Sequence, residues 1–245
     1  MTLFNKKFIF FSFILLLINL HAKSQENNKI LINNIINAMH SYKTVSYDYS
    51  RVVRQPSVGI SNDFQGNIFF SFTKNLLGSK FIFENDLTKD IYDGNTACFL
   101  DKTTKELSIR ENDIKALMQY AFLKNSYYTL RNFFPRIIER KDIKIVTRDT
   151  SILSKDCFVL EFNIPNTVIN NLGELQSVPE ENHLYTILID KKLFLPIDVF
   201  RKNLVNDDYV HCKFNNIILN QVRDNAEFRY ESYLGEYHEV KTFQF

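Results

Sequence analysis

The chain has 245 residues, 45% of them hydrophobic and 24% charged, with 30 Lys and Arg against 28 Asp and Glu. A balance so close to neutral excludes a general nucleic-acid or anionic-membrane binder, which draws its affinity from a surplus of cations. Three cysteines exclude a disulfide scaffold, and six dispersed glycines leave no phosphate-cradling loop of the dinucleotide or P-loop kind.

The first segment, Met1 to Gln25, reads as a secretory signal peptide. Lys6 and Lys7 precede an apolar run from Phe8 to Leu20, broken by Ser12 and Asn19, and His21-Ala22-Lys23-Ser24 offers a small-x-small cleavage site. The alternative is a membrane anchor, but the run is short beside the roughly 20 residues that a bilayer span needs. No cysteine near the cut would carry a lipid. Residues 1–24 are therefore expected to be a leader and 25–245 a single periplasmic domain. Removal of Lys6, Lys7 and Lys23 leaves 27 basic against 28 acidic residues. An exported chain meets little ATP or NAD, and no cofactor is expected.

The domain is expected to open with a helix, because Ile32, Ile35, Ile36 and Met39 fall on one helical stripe. The period then changes to two. Val45, Tyr47 and Tyr49 alternate with Ser46, Asp48 and Ser50, which predicts a half-buried strand. After a break from Pro56 to Asn62, the stretch Phe64 to Phe72 sets Phe64, Gly66, Ile68, Phe70 and Phe72 on one face. Phe69 and Phe70 are adjacent, so both faces of that strand carry a large apolar group. Lys80 to Asn85 is a further strand with Phe81 and Phe83 together. Asp93-Gly94 marks a hairpin turn, and Thr96 to Leu100 and Leu107 to Arg110 continue the meander.

The middle of the chain changes character. Asn112 or Asp113 caps a helix carrying Ile114, Leu117, Met118, Ala121 and Phe122, and a second short helix over Ser126 to Phe134 is expected to end at Pro135. Strand patterns then return at Ile143 to Arg148, Cys157 to Asn163, Leu184 to Asp190, Pro196 to Lys202, Tyr209 to Asn220 and Glu227 to Tyr233. Pro165 to Asn182 is polar and reads as a long exposed loop. The total is an α+β fold: a curved antiparallel β-sheet, an unclosed half-barrel, wrapped over the N-terminal helix and a helical lid insert.

No catalytic or metal-ligating set emerges. There is no HExxH and no G-x-S-x-G, and the histidines after the leader, His40, His183, His211 and His238, are scattered. Glu180-Glu181 and Asp207-Asp208 read as solvated loop acids. Cys98, Cys157 and Cys212 each sit in a strand-like run and read as small apolar residues, with a Cys157–Cys212 disulfide as the alternative.

The leading helix, Tyr47-Asp48-Tyr49, Gln65-Gly66-Asn67-Ile68-Phe69-Phe70 and Tyr92-Asp93-Gly94-Asn95, in that order, carry a resemblance. Weaker matches follow at Asp149 to Leu160 and at Leu195-Pro196. The chain resembles the LolA-like family of periplasmic lipoprotein carriers and outer-membrane lipoprotein-sorting proteins. The resemblance implies an apolar cavity that holds acyl chains of a lipid or lipoprotein under a helical lid, without a cofactor. In that family the strand after the first glycine ends in a basic-Pro pair whose Arg latches the lid. Here the stretch is Phe72-Thr73-Lys74-Asn75, with neither Arg nor Pro. The ligand-binding residues expected on this reading are Ile68, Phe70, Phe72, Phe81 and Phe83 of the sheet and Leu117, Met118 and Phe122 of the lid. The competing readings are a non-catalytic docking or sensory domain with envelope protein partners, a hydrolase, and an outer-membrane barrel ending at Phe243 and Phe245. The barrel is disfavoured by Glu239 and Lys241 on what should be a lipid-facing strand.

Overall fold

A computed structural model describes residues 28–110, 114–152 and 154–240. The leader, the Asn112/Asp113 cap, Lys241, Phe243 and Phe245 lie outside the described residues.

A helix over 28–41, α1, opens the described chain and buries Ile32, Ile35 and Met39, the expected stripe, with Ile36 at its margin. The strands β1 (Thr44–Gln55), β2 (Ile60–Phe72), β3 (Ser79–Glu84), β4 (Thr88–Tyr92), β5 (Ala97–Asp101) and β6 (Glu106–Arg110) form an antiparallel meander. The helical insert follows as α2 (Ile114–Met118), a 3-10 turn (Ala121–Leu123) and α3 (Tyr127–Ile138). The chain then returns through β7 (Ile145–Ile152), β8 (Lys155–Ile169), β9 (Leu175–Asp190), β10 (Pro196–Asn203) and β11 (Tyr209–Leu219). Strand β11 closes back on β1, and a short β12 (His238–Val240) lies parallel to β6.

All twelve strands belong to one sheet in the order β12-β6-β5-β4-β3-β2-β1-β11-β10-β9-β8-β7. Its edges, β12 and β7, do not meet, so the sheet is an unclosed half-barrel. Strand twist makes so many strands curl, and the concave side encloses α1 and the insert. One continuous core there runs from Ile35 and Met39 through Tyr47, Phe70 and Phe81 to Phe133, Tyr185 and Phe214. Among the described residues no helix is long and apolar enough to cross a membrane.

The structure explains the adjacent pair on β2. Phe70 points into the concave core, while Phe69 belongs to a second core on the convex face with Ile82, Ile91, Leu100, Phe228 and Tyr237. That face is covered by a C-terminal strap. The strap corrects the strand expected over Glu227 to Tyr233: these residues form 3-10 turns, Asn225–Phe228 and Tyr230–Tyr233, the first held by a capping box between Asp224 and Glu227. The three cysteines are buried and free, so the disulfide alternative does not hold in this structure.

Two further expectations are corrected. Helix α3 does not stop before Pro135 but carries it inside the helix. A proline at this place cannot donate to the carbonyl four residues back, that of Arg131, and clashes with it. His40 Nε2, at the end of α1, lies 3.1 Å from this same oxygen and satisfies it. Pro165 to Asn182 is a β-hairpin rather than a loop. The ladder between β8 and β9 slips between Pro165 and Thr167 and then resumes to Ile169 and Leu175. Asn166 takes a left-handed conformation in the slip, and its Oδ1 accepts the Glu180 N–H at 3.1 Å.

Candidate ligand-binding hollow

The concave faces of β2, β3 and β4 form an aromatic floor. Phe64 stacks on Phe83 with ring centroids 4.8 Å apart, and Phe81 lies 5.5 Å from Tyr92. Gly66 makes this floor possible: a Cβ there would stand 2.4 Å from the Phe83 ring and 2.6 Å from the Glu84 carbonyl oxygen. The eight expected residues come together in one apolar cluster with the insert. Ile68, Phe70, Phe81, Phe83, Leu117 and Phe122 are fully buried, and Phe72 and Met118 are half-buried.

The insert fills the hollow. Phe122 stacks on Phe83 at 4.9 Å and meets Phe81 edge-on at 5.0 Å. Tyr120 meets Phe81 edge-on at 5.1 Å, and Tyr128 stacks on Phe70 at 5.8 Å. Farther along α3, Phe133 stacks on Tyr185 at 6.0 Å, over the other half of the sheet. Arg131 lies 3.7 Å above the Phe72 ring and donates to the Met39 carbonyl at 2.9 Å, joining α3 to the end of α1. Such pairs contribute beyond the area they bury.

The insert is irregular. Its first helix has five residues and is followed by a three-residue turn, so its seat depends on side chains that bond its backbone. Strand β1 supplies a row of them. Arg51 Nη1 donates to the Ala121 carbonyl, Tyr49 Oη donates to the Lys124 carbonyl at 2.7 Å, and Tyr47 Oη accepts the Tyr127 N–H at 3.1 Å. Burial pushes both phenols well above their ordinary range, so they stay neutral. The insert is therefore held by Arg51 of β1, while in the Phe72 to Asn75 stretch Lys74 is exposed.

A second clasp comes from the tip of the β8–β9 hairpin. Asn171 Nδ2 donates to the carbonyls of Met118 at 2.6 Å and Tyr120 at 3.2 Å. Thr129 Oγ1 donates to the Asn171 carbonyl at 2.7 Å, and Asn132 Nδ2 to that of Leu172 at 3.1 Å. Gly173 lets the tip come this close, with φ at +81° and a virtual Cβ only 2.5 Å from the Thr129 carbonyl oxygen. Reading the sequence missed both clasps. A lone Arg between Ser50 and Val52 carries no signal. The Asn170-Asn171-Leu172-Gly173 run did carry one, as an Asx turn: Asn170 Oδ1 accepts the N–H groups of Leu172 and Glu174, each at 2.9 Å.

Among the described residues no cluster of His, Cys, Asp or Glu has the spacing to hold a metal ion. His211 Nε2 lies 2.9 Å from Asp198 on the outer face of β10 and β11, away from the hollow.

No family model matches the chain, and no curated protein matches it. Solved structures to which it is similar include LprF from Mycobacterium bovis, at 9% identity over 81% of this chain and 95% of that one, with a TM-score of 0.49. A LolA superfamily protein from Nitrosomonas europaea is similar at 11% identity over 85% of this chain and 98% of that one, with a TM-score of 0.38. MucB, in the Pseudomonas aeruginosa MucA/MucB complex, is similar at 8% identity over 84% of this chain, with a TM-score of 0.46, and this chain spans 62% of its length.

Proposed function

We propose that the chain is an exported, non-catalytic carrier that holds the acyl chains of a lipid or lipoprotein between the concave sheet and the insert while they cross the periplasm. The leader is removed and the rest forms one domain. The observation that carries this reading is an aromatic floor closed by a short irregular lid, which polar clasps from β1 and the β8–β9 hairpin hold in place. Lifting the lid would expose Phe70, Phe81 and Phe83 without breaking a strand pairing. The motif-level resemblance to the LolA-like carriers supports the same reading.

The energetics suit a carrier. A sixteen-carbon chain buried there gains up to roughly 13 kcal/mol, at about 0.8 kcal/mol per methylene. The lid side chains that leave, Leu117 and Phe122 among them, give back roughly 2 kcal/mol each. The net affinity is well below the gross gain, and cargo can be handed on.

Titration with a fluorescent fatty acid tests the reading, in the wild type and in Met118→Asp and Phe70→Asp, with circular dichroism to confirm folding. Saturable binding that either variant weakens is the expected result. A filled hollow favours one other reading, a docking domain that works through its outer surface with the insert as permanent core. Absence of binding by the wild type, together with lid amides as protected from exchange as those of β1, would establish that reading instead.

A further inference from the structure

Beside the hollow lies a separate polar cavity of about 360 Å3, bounded by β9, β10, the hairpin tip and the loop after Leu123. Lys124, His183, Arg201, Asn171 and Met118 line it. Arg201 and His183 are buried, at 6% and 5% exposure, and so is Arg51, at 6%. Guanidinium groups this deep are ordinarily matched by a carboxylate. Among the described residues Arg51, Lys124 and Arg201 enter no ion pair.

Two acids share the cavity wall, each held by a neutral donor and neither in an ion pair with Lys124 or Arg201. Glu181 Oε2 accepts from Asn203 Nδ2 at 2.6 Å and lies 2.9 Å from His183 Nε2, out of line for a hydrogen bond. Asp208 accepts the N–H of Ser57 at 3.1 Å and its hydroxyl at 2.5 Å. Neither ring nitrogen of His183 has an aligned partner, and neither does Arg51 Nε. Lys124 and Arg201 share the cavity wall, and burial pulls the Lys124 ammonium down to about 8, with the charges of Arg201 and Arg51 adding to that pull. Cations without an ion pair, unused donors and open space together describe a receptor for an anion.

We propose that this cavity binds an oxyanion of the phosphate type, gripped by Lys124 and Arg201. The planar guanidinium of Arg201 suits two phosphate oxygens, and Lys124 acts as a point charge. The anion arrives as the head group of an acyl cargo or as a free phosphate ion. The head-group form rests on the carrier reading, and Met118 supports it, because it lines this cavity and also packs against the core of the hollow. Lys124 follows by two residues Phe122, which stacks on Phe83.

Calorimetric titration at pH 7 with dodecyl phosphate, dodecanol and inorganic phosphate separates the possibilities, in the wild type and in Lys124→Gln and Arg201→Gln, each confirmed as folded by circular dichroism. The expected result is at least tenfold tighter binding of dodecyl phosphate than of dodecanol, with that preference lost in both variants and dodecanol affinity unchanged. Equal binding of the two long-chain probes would overturn the anion site and leave the carrier reading intact. Inorganic phosphate binding that Lys124→Gln abolishes, without long-chain binding, would keep the anion site and overturn the carrier reading. A preference that survives in both variants, or no binding of any probe, would overturn the site.

Discussion

The hairpin clasp makes the lid testable by adding one methyl group. In Gly173→Ala the new Cβ would stand 2.5 Å from the Thr129 carbonyl oxygen, 2.8 Å from Asn132 Cβ and 3.0 Å from the Phe133 nitrogen. Two of these atoms are helix backbone and cannot turn aside. Forcing the contact costs about 1–3 kcal/mol, and an Ala at the observed φ of +81° adds roughly 1 kcal/mol more. Opening the clasp instead gives up the bonds of Asn171 to Met118 and Tyr120, of Thr129 to Asn171 and of Asn132 to Leu172. At about 1 kcal/mol each, that loss has the same size as the clash. The substitution therefore brings the clasped and open states close in energy. Hydrogen exchange of the lid amides should quicken roughly thirtyfold to several hundredfold, at about 1.4 kcal/mol per factor of ten, while β1, β2 and β11 keep their protection. Lid exchange that stays at the wild-type rate in a folded Gly173→Ala protein would show that the hairpin does not hold the lid. Equal loosening of lid and sheet would show that the lid is core.

Three other perturbations address the frame around the hollow. Ile35→Asp places an unpaired carboxylate in the contact between α1 and the sheet, where Ile35 is fully buried, and should lower stability by several kcal/mol in chemical denaturation. Asp90 is buried on β4, its Oδ1 has no partner, and burial pushes its carboxyl up to about 7 against the nearby Arg110. The folded state holds this proton more tightly than the unfolded one, so its contribution is complete below about pH 4 and is lost as pH rises toward 7. Asp90→Asn should remove that slope and be the more stable protein at pH 8; a wild-type melting temperature flat from pH 4 to 7 would contradict this. Phe228→Ala empties the pocket against Phe69, 5.8 Å away between ring centroids, at about 3 kcal/mol, and limited proteolysis should then cut within 222–237 before any strand is cut.

Local periodicity carried most of the architecture. The alternation of Val45, Tyr47 and Tyr49 and the register of Phe70 with Phe81 follow from which residues must share a buried face, and so does the grouping of Ile68, Phe70, Phe81 and Phe83. Features governed by distant partners were not legible. The polar run around Glu180 and Asn182 gives no strand signal because that part of the hairpin is irregular and largely in solvent. Glu227 to Tyr233 imitates a strand by alternating aromatics, although Asp224 and Glu227 marked a helical start. Pro135 is tolerated because of His40, a residue 95 positions earlier, as the numbering of the chain shows. Arg51 and the cation set of Lys124 and Arg201 owe their roles to neighbours that the fold alone supplies.

The C-terminal strap has a consequence for the order in which the protein matures. Strand β1 waits for β11 before it has its second neighbour, and the convex face of β2 to β5 waits still longer, for Phe228 and Tyr237. Loop-closure entropy makes such distant pairings late and slow. A chain emerging from its N-terminus therefore leaves the convex face of β2 to β5 exposed until Phe228 and Tyr237 have emerged. Such delay disfavours folding before the strap residues have been made. A chain cut ahead of Phe228 would present Phe69, Ile82 and Ile91 to solvent as an adhesive patch.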